Sequence, residues 1–290
     1  MTDTLNGQIL GYAGGDAAIE VRAYYSEAEF EGGRPMVSPA EFLLNVGPGR
    51  RSGRLPAVSC LMVTDGRVEQ AKLAVACYRD QTWPKRELVI IDRSGNSTLA
   101  TWVKSLHDPS IRIFSQRRDV ESLGAARNRA AAIARGHFLC QWDDGDLQHP
   151  LRIEMAMAAM AVSHAPAAML FRQMTWDAGR NRVAIGARRP HENTLIAARR
   201  AMPTYPSLDK HHEAPAVEAL LARHRAVLID APELSVAVAH GQGSWPNGGT
   251  ANGWQKATER FEGDAARRVL AALRRAYPAM DTYPVERQAA

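Results

Sequence analysis

Cysteine is scarce in this chain, with three residues in 290: Cys60, Cys77 and Cys140. No metal-ligand spacing links them, so a cysteine-based metal centre is not expected. Cys60 and Cys140 lie in apolar runs typical of buried strands, and Cys77 lies in a helical pattern. The small number and this placement predict reduced thiols rather than a disulfide scaffold.

Uninterrupted long apolar runs are also missing. The apolar stretch 155–171 contains Ser163, His164 and Pro166, so it does not predict a membrane span. The N-terminus lacks the charged-then-apolar pattern of a secretory signal. These absences predict a cytoplasmic protein. Peripheral association with a membrane surface stays an alternative, because the amphipathic helix predicted at 264–277 carries four arginines.

The chain has no block of like charges. It has 36 Lys and Arg against 31 Asp and Glu, a net charge of +5 and a pI of about 9.3. Because the arginines are scattered rather than clustered, the composition does not favour a nucleic-acid partner. A mild positive charge suits a smaller anionic ligand such as a nucleotide, or a membrane surface.

Three regions are predicted along the chain. Residues 1–55 form an N-terminal extension and linker, with a strand pattern at 18–25 and a stretch rich in Gly and Pro at 47–56. Residues 56–245 form the main domain, and residues 246–290 form a C-terminal helical tail. The sequence contains no internal repeat.

Apolar strands alternate with helices in the first half of the main domain. Strands are predicted at 57–63, 87–92, 111–115 and 137–142, and helices at 68–80, 98–107 and 120–135. This alternation predicts an α/β fold with a mostly parallel sheet covered by helices on both faces. Ligands bind such sheets at the carboxyl ends of the strands. Asp92 and Asp143 follow two of these strands, so we expect them to face one crevice.

The second half of the main domain is less regular. The patterns there predict a helix from Pro150 to about Ser163, strands near 168–176 and 182–187, a helix at 215–224, and strands at 226–229 and 234–239.

Three carboxylates follow the strand that ends at Trp142. Asp143, Asp144 and Asp146 stand within four residues, with Gly145 between them. Carboxylates this close repel one another unless a cation or hydrogen-bond donors absorb the charge. Oxygen ligands suit Mg²⁺ or Mn²⁺, which commonly hold phosphorylated substrates. The alternative is a solvated turn in which Asp146 caps the helix that follows Pro150.

Six segments in order resemble the family-2 glycosyltransferases, which have the GT-A fold. A first apolar strand, VSCLMVT at 58–64, precedes QTWP at 81–84 with ELVIID at 87–92. GAARN at 124–128 resembles the family's "G…ARN", and WDDGD with HP at 142–150 resembles a subgroup motif "WDDDD..HP". YP with HE at 205–213 resembles "YP…ED", and VAHG with Trp245 resembles "HG..TW". Each match is weak alone, but six in the expected order are strong.

The resemblance implies a sugar transfer with inversion from a nucleotide donor, such as a UDP-sugar, to a hydroxyl of a glycan, a lipid-linked acceptor or a protein. It implies that the nucleotide-sugar is bound by Thr64, Asp92, Asp143 and Asp144. Arg127 is a further candidate for the diphosphate, and the alternatives are that it pairs with the acids or lies on the helix surface. The resemblance further implies that Asp144, Asp146 and His240 hold Mn²⁺ or Mg²⁺ and that Glu213 is the catalytic base.

Three positions depart from the family pattern. Arg93 replaces a second acid or Asn after Asp92, Gly145 replaces the acid that is commonly the metal ligand, and Glu213 replaces an Asp. These departures leave open a metal-independent enzyme and a catalytically impaired homologue that acts as a binding or scaffold protein. A nucleotidyltransferase is disfavoured, because residues 65–67 are too short for a glycine-rich phosphate loop.

Overall fold

The structure, a computed structural model, describes residues 7–12, 19–24, 55–115, 117, 119–239 and 254–282. The strands in these parts are β1 (Gly7–Tyr12), β2 (Ile19–Tyr24), β3 (Val58–Thr64), β4 (Arg86–Asp92), β5 (Ile111–Ser115), β6 (Phe138–Gln141), β7 (Asp146–Gln148), β8 (Ala167–Leu170), β9 (Met174–Asp177), β10 (Arg182–Ile185), β11 (Ile196–Ala198), β12 (Ala226–Ile229), β13 (Ser235–Ala239) and β14 (Glu259–Phe261). The α-helices are α1 (Val68–Arg79), α2 (Thr98–Ser105), α3 (Leu123–Ile133), α4 (Arg152–Ser163), α5 (Glu213–Leu221) and α6 (Gly263–Ala276).

The described strands form two sheets. The larger has the order β1-β2-β12-β8-β11-β6-β3-β4-β5, and the smaller has the order β14-β10-β9-β13-β7. Strands β6, β3, β4 and β5 are parallel, and β11 lies antiparallel between β6 and β8. The register places Thr64 beside Asp92 where β3 and β4 end. The carboxyl ends of the parallel strands therefore lie at one edge, as the alternation of elements predicts.

Both faces of the parallel strands are buried. Successive side chains of a strand point to opposite faces. On one face Cys60 and Met62 join the core cluster that also contains residues of α1 and α4. On the other face Leu61 and Val63 pack with Ala126 of α3. This explains why β3 is apolar along its whole length, and it confirms an α/β fold with helices on both faces.

Two short strands are not evident in the sequence pattern. Strand β11 is only three residues long, and β7 begins at Asp146, which pairs with Ala237 of β13. The alternative in which Asp146 caps the helix after Pro150 is wrong. Helix α4 begins after Leu151, and no side chain caps it.

The C-terminal helix belongs to the same core as the sheets. Helix α6 buries Leu270 and Leu273 and exposes its arginines, while Tyr277 and Met280 beyond it join the main apolar cluster. Strand β14 pairs with β10. At the other end of the chain, β2 pairs with β12, so the described parts of the N-terminal segment extend the larger sheet. The division into three regions stays a prediction.

In the described residues, no helix combines the length and the apolar character that crossing a bilayer requires.

Candidate functional site

A cavity of about 230 Å³ opens where β3 and β6 end. It is lined by the end of β3, the loop after it, the start of α3 and the segment that follows β6. Of the residues predicted to bind the donor or the metal, Arg127, Asp143, Asp144 and Asp146 line this cavity. The fold therefore brings the predicted acids together with a predicted arginine.

Asp144 and Asp146 are held in different ways. The Oδ1 of Asp144 accepts a hydrogen bond from Arg67 Nη2 at 2.5 Å, and its Oδ2 has no partner among the described residues. Burial raises the pKa of Asp144, and Arg67 opposes that rise. Asp146 accepts from Asn193 Nδ2 at 3.0 Å. Burial, with the nearby charge of Asp143, raises the pKa of Asp146 to about 8. The segment therefore lacks the positive charge that would keep Asp144 and Asp146 fully ionised at neutral pH.

A divalent cation bound here would stabilise the ionised forms of these buried carboxyl groups. The unpartnered Asp144 Oδ2 and the raised pKa of Asp146 both fit an oxygen-preferring ion. Even so, no three His, Cys, Asp or Glu side chains of the described ranges form a group able to hold a metal. His240, the third predicted ligand, lies outside the described residues.

Arg127 is the junction of the site. Its Nε donates to His212 Nε2 at 2.9 Å, and its Nη2 donates to Asp143 Oδ1 at 2.9 Å and to Glu213 Oε1 at 2.7 Å. Burial acts to lower the pKa of Arg127, but Asp143 and Glu213 raise it above the ordinary value. Arg127 is thus a buried cation that pairs with the acids, not a surface residue of α3.

Glu213, the predicted base, is the first residue of α5. It contacts Arg127, which lines the cavity. Its Oε1 also accepts from Gln141 Nε2 at 2.9 Å. Burial raises the pKa of Glu213, and Arg127 opposes the rise. A carboxylate whose pKa is raised is a better proton acceptor than an ordinary surface Glu.

Thr64 and Asp92 lie beside the cavity without lining it. Asp92 is fully buried, and its Oδ1 accepts from the backbone N of Ser94 at 2.9 Å. Its Oδ2 has no hydrogen-bond partner among the described residues, and the Thr64 hydroxyl lies near enough to Asp144 to lower the pKa of that carboxyl group. The expectation that Asp92 and Asp143 face one crevice stays a prediction, since Asp92 is buried and does not line this cavity.

Arg93 connects parts of the chain that the sequence does not link. Its fully buried guanidinium pairs with Asp209 at 2.9 Å and with Asp65 at 3.4 Å. Asp209 also accepts from the backbone N of Leu123 at 2.9 Å. Arg93 therefore ties the loop after β3 to the start of α3 and to the segment before α5. A single Arg after a strand gives no sequence signal for such a role.

Gly124 allows α3 to approach the segment that precedes α5. A Cβ at this position would lie 1.8 Å from the carbonyl oxygen of Pro206, and the Gly124 N–H donates to the Leu208 carbonyl at 2.9 Å. Only glycine fits such a contact. This explains the glycine that opens the GAARN segment.

Several contributors were missed by the sequence interpretation: Arg67, Gln141, Tyr205 and His212. Gln141 did carry a signal, because an amide at the end of the apolar strand β6 needs partners once it is buried. Tyr205 and His212 lie in matched motifs, but nothing local shows what they contact. Trp142, which precedes the acids, is fully buried and donates to the Ala74 carbonyl at 3.1 Å.

Comparison with known sequences identifies the class of protein. The sequence model of Glycosyl transferase family 2 matches residues 59–207, just over half of the chain. The chain therefore belongs to glycosyl transferase family 2, as its motifs predict. An Escherichia coli (strain K12) protein named as a colanic acid biosynthesis glycosyl transferase, WcaA, is 31% identical over 115 residues. That match covers 38% of this chain and 40% of the relative. The subgroup with the WDDDD..HP motif stays a prediction.

Solved structures show the same fold. TarS residues 1–349 of S. aureus has a TM-score of 0.51 at 15% identity, covering 63% of this chain and 60% of that chain. The same protein in complex with UDP-GlcNAc has a TM-score of 0.52 at 14% identity, covering 64% and 59%. At such identities the likeness shows the fold alone, and it confirms the predicted GT-A architecture.

Proposed function

We propose that this family-2 glycosyltransferase transfers a hexose from a UDP-sugar to an acceptor hydroxyl, with inversion at the anomeric carbon. The observation that carries the proposal is the bridge through Arg127. One Nη2 contacts Asp143, which lines the cavity, and Glu213, which stands outside the lining. A carboxylate base next to the cavity that would hold the donor is the arrangement that a single displacement requires.

The donor side has cationic groups suited to a diphosphate. The guanidinium groups of Arg67 and Arg127 line the cavity, and guanidinium N–H groups match phosphate oxygens in geometry and charge. Asp144 and Asp146, with His240, would hold Mg²⁺ or Mn²⁺. When bound, such an ion neutralises negative charge on the departing diphosphate.

On the acceptor side, Glu213 takes the proton of the acceptor hydroxyl. The acceptor oxygen then bonds to the anomeric carbon while the bond from that carbon to the diphosphate oxygen breaks, and the nucleoside diphosphate leaves with the electron pair. Attack from the face opposite to the leaving group inverts the centre. The acceptor hydroxyl belongs to a glycan, a lipid-linked saccharide or a protein.

Donor binding can be tested by thermal denaturation with UDP or UDP-GlcNAc, each with Mn²⁺ or with a chelator. A ligand that binds only the folded state at one hundred times its Kd adds about 2.7 kcal/mol of stability. We expect a rise in Tm that is largest with nucleotide and Mn²⁺ together. A rise in Tm that is the same with Mn²⁺ and with the chelator would overturn the metal assignment. The absence of any rise in Tm with either nucleotide would contradict the donor assignment.

The base can be tested separately with Glu213→Gln, measured as UDP released from UDP-GlcNAc in an acceptor screen. We expect turnover to fall by about 100-fold or more, the usual contribution of a general base, while UDP still raises the Tm. The matched control is Glu218→Gln, an exposed acid on the same helix, which should keep full activity. Full turnover in Glu213→Gln would exclude this residue as the base.

A further inference from the structure

The two carboxylate oxygens of Glu213 are in different environments. Oε1 accepts two hydrogen bonds, from Arg127 Nη2 at 2.7 Å and from Gln141 Nε2 at 2.9 Å. No hydrogen bond from the described residues reaches Oε2, and about 30% of the side chain is exposed. One oxygen is therefore anchored, while the other is left for a further donor.

The amide of Gln141 has only one orientation that satisfies its neighbours. An ionised carboxylate only accepts hydrogen bonds, so the Nε2 of Gln141 must face Glu213 and its Oε1 must face away. The Tyr205 hydroxyl donates to that Oε1 at 2.9 Å. Burial raises the pKa of Tyr205, so its hydroxyl stays protonated as the donor. Tyr205 thus fixes Gln141, and Gln141 fixes Glu213.

The backbones of both residues are held firmly. The N–H of Gln141 donates to the Leu195 carbonyl at 2.8 Å, and its carbonyl accepts from Arg152 Nη2 at 3.0 Å. The side chain of Asn128 makes two hydrogen bonds with the backbone of Tyr205, each 2.8 Å long. The Asn of the GAARN segment therefore holds the Tyr of the YP segment in place.

Arg127, the second anchor, is oriented by His212. Because Arg127 Nε–H donates to His212 Nε2, that nitrogen must be unprotonated. Burial, with the charge of Arg127, lowers the pKa of His212 to about 4, so the ring is neutral at physiological pH and can accept this bond. Both donors that reach Oε1 are therefore set by further contacts.

We propose that Gln141 and Tyr205 are positioning residues for the base, anchoring Oε1 of Glu213 so that Oε2 receives the proton of the acceptor hydroxyl. The role of these residues in catalysis rests on the proposed function. The hydrogen bonds that anchor Oε1 do not depend on it. We call the set Arg127, Asn128, Gln141, Tyr205, His212 and Glu213 the base network.

The first test reads the carboxyl group directly. Glutamate Cδ is labelled with ¹³C, the Glu213 signal is assigned by its loss in Glu213→Gln, and its pH titration is followed by NMR in the presence of a chelator. Gln141→Leu removes a donor that favours the ionised form, so the pKa of Glu213 should rise. Tyr205→Phe keeps the ring and should give a smaller rise.

Other charged and titratable groups around Glu213 stay the same in these variants. They are Arg127 on α3, Asp143 after β6, Glu192 in the turn 192–194, and His212 before α5. The matched control is Gln173→Leu, which removes a buried Gln that donates to Ser235 Oγ at 3.1 Å. It should leave the Glu213 titration unchanged.

The second test separates catalysis from binding by measuring UDP release from UDP-GlcNAc. We expect Gln141→Leu to lower kcat by about tenfold or more, part of what a general base contributes, with little change in KM for the donor. An unchanged Glu213 titration in both variants, or in Tyr205→Phe alone if Gln141→Leu does not fold, would overturn the proposal. Shifted titrations in a protein without any transferase activity would instead overturn the proposed function and keep the anchoring.

Discussion

Two groups of polar side chains meet at Arg127, and the fold satisfies them differently. In the base network, the amide of Gln141, the hydroxyl of Tyr205 and Oε1 of Glu213 all have partners from this chain. In the acidic segment, Asp143–Asp146, Asp144 Oδ2 has no partner among the described residues and the pKa of Asp146 is raised to about 8. In the base network only His212 Nδ1 is buried without a partner among the described residues, whereas the acidic segment holds buried carboxyl groups whose ionised forms the protein does not stabilise.

This difference separates two tasks of one site. A base must be held in position before the acceptor arrives, because a misplaced proton acceptor loses most of its catalytic effect. Groups that bind a charged ligand do not need internal compensation, since the ligand supplies it. Buried carboxylate without a counter-charge is costly, and that cost favours binding of a positive ion.

The largest expected effect comes from removing the junction. Arg127→Met leaves Asp143 and Glu213 without their shared cation. Breaking a buried pair costs about 3–5 kcal/mol, and the partial exposure of both carboxylates favours the lower end. Urea denaturation at pH 7 would measure the loss.

The control for this change is Arg117→Met, which removes an exposed arginine paired with Asp119 and should change stability far less. If the two variants were equally stable, Arg127 would not be the junction that separates the two groups.

A smaller effect is expected where α3 contacts the segment that carries the base. Gly124→Ala would place a methyl group 1.8 Å from the Pro206 carbonyl oxygen. Overpacking of this kind costs about 1–3 kcal/mol.

Thermal and urea unfolding would show the loss of stability for Gly124→Ala. The control, Gly186→Ala, brings a Cβ only to 3.3 Å from its neighbours and should cost less. Unchanged stability in Gly124→Ala would mean that the segment after Tyr205 moves freely, which contradicts a fixed base network.

A further effect, which depends on the pH of the measurement, is expected in the acidic segment. Burial raises the pKa of Asp146 from its ordinary value near 4 to about 8 in the folded protein. Between these values the folded state binds the extra proton, so this group's contribution to stability is present below about pH 4 and is lost as the pH rises towards 8.

Asp146→Asn should remove this dependence, which has a maximum slope of about 1.4 kcal/mol per pH unit. The measurement is the free energy of unfolding from pH 5 to 8 with a chelator present, and Glu218→Gln serves as a control that should keep the slope of the unaltered protein. If the free energy of unfolding depended on pH in the same way in Asp146→Asn and in the unaltered protein, the raised pKa of Asp146 would be refuted.

Much of the fold was predictable because buried faces of strands and helices produce a periodic pattern of apolar residues in the sequence. Strand β3 is apolar along its length since helices cover both faces, and β12 is found where the pattern places it. Strands β7 and β11 were not predictable. They are three residues long, and their place depends on partners far away in the chain.

The site was predictable in its residue types and only partly in its contacts. Carboxylates after a parallel strand predict an acidic edge, and Asp143, Asp144 and Asp146 do line one cavity. The pairing of Arg93 with Asp209 joins residues more than a hundred positions apart, so no local pattern encodes it.

The amino-acid sequence by itself determined the α/β class, the parallel arrangement and the family, because hydrophobic periodicity and motif order are local or collinear properties. Only the tertiary structure decided that Arg127 joins Asp143 to Glu213 and that Gln141 anchors the base. Hydrogen bonds and ion pairs act over about 3 Å, and folding alone brings residues 127, 141, 205 and 213 within that distance.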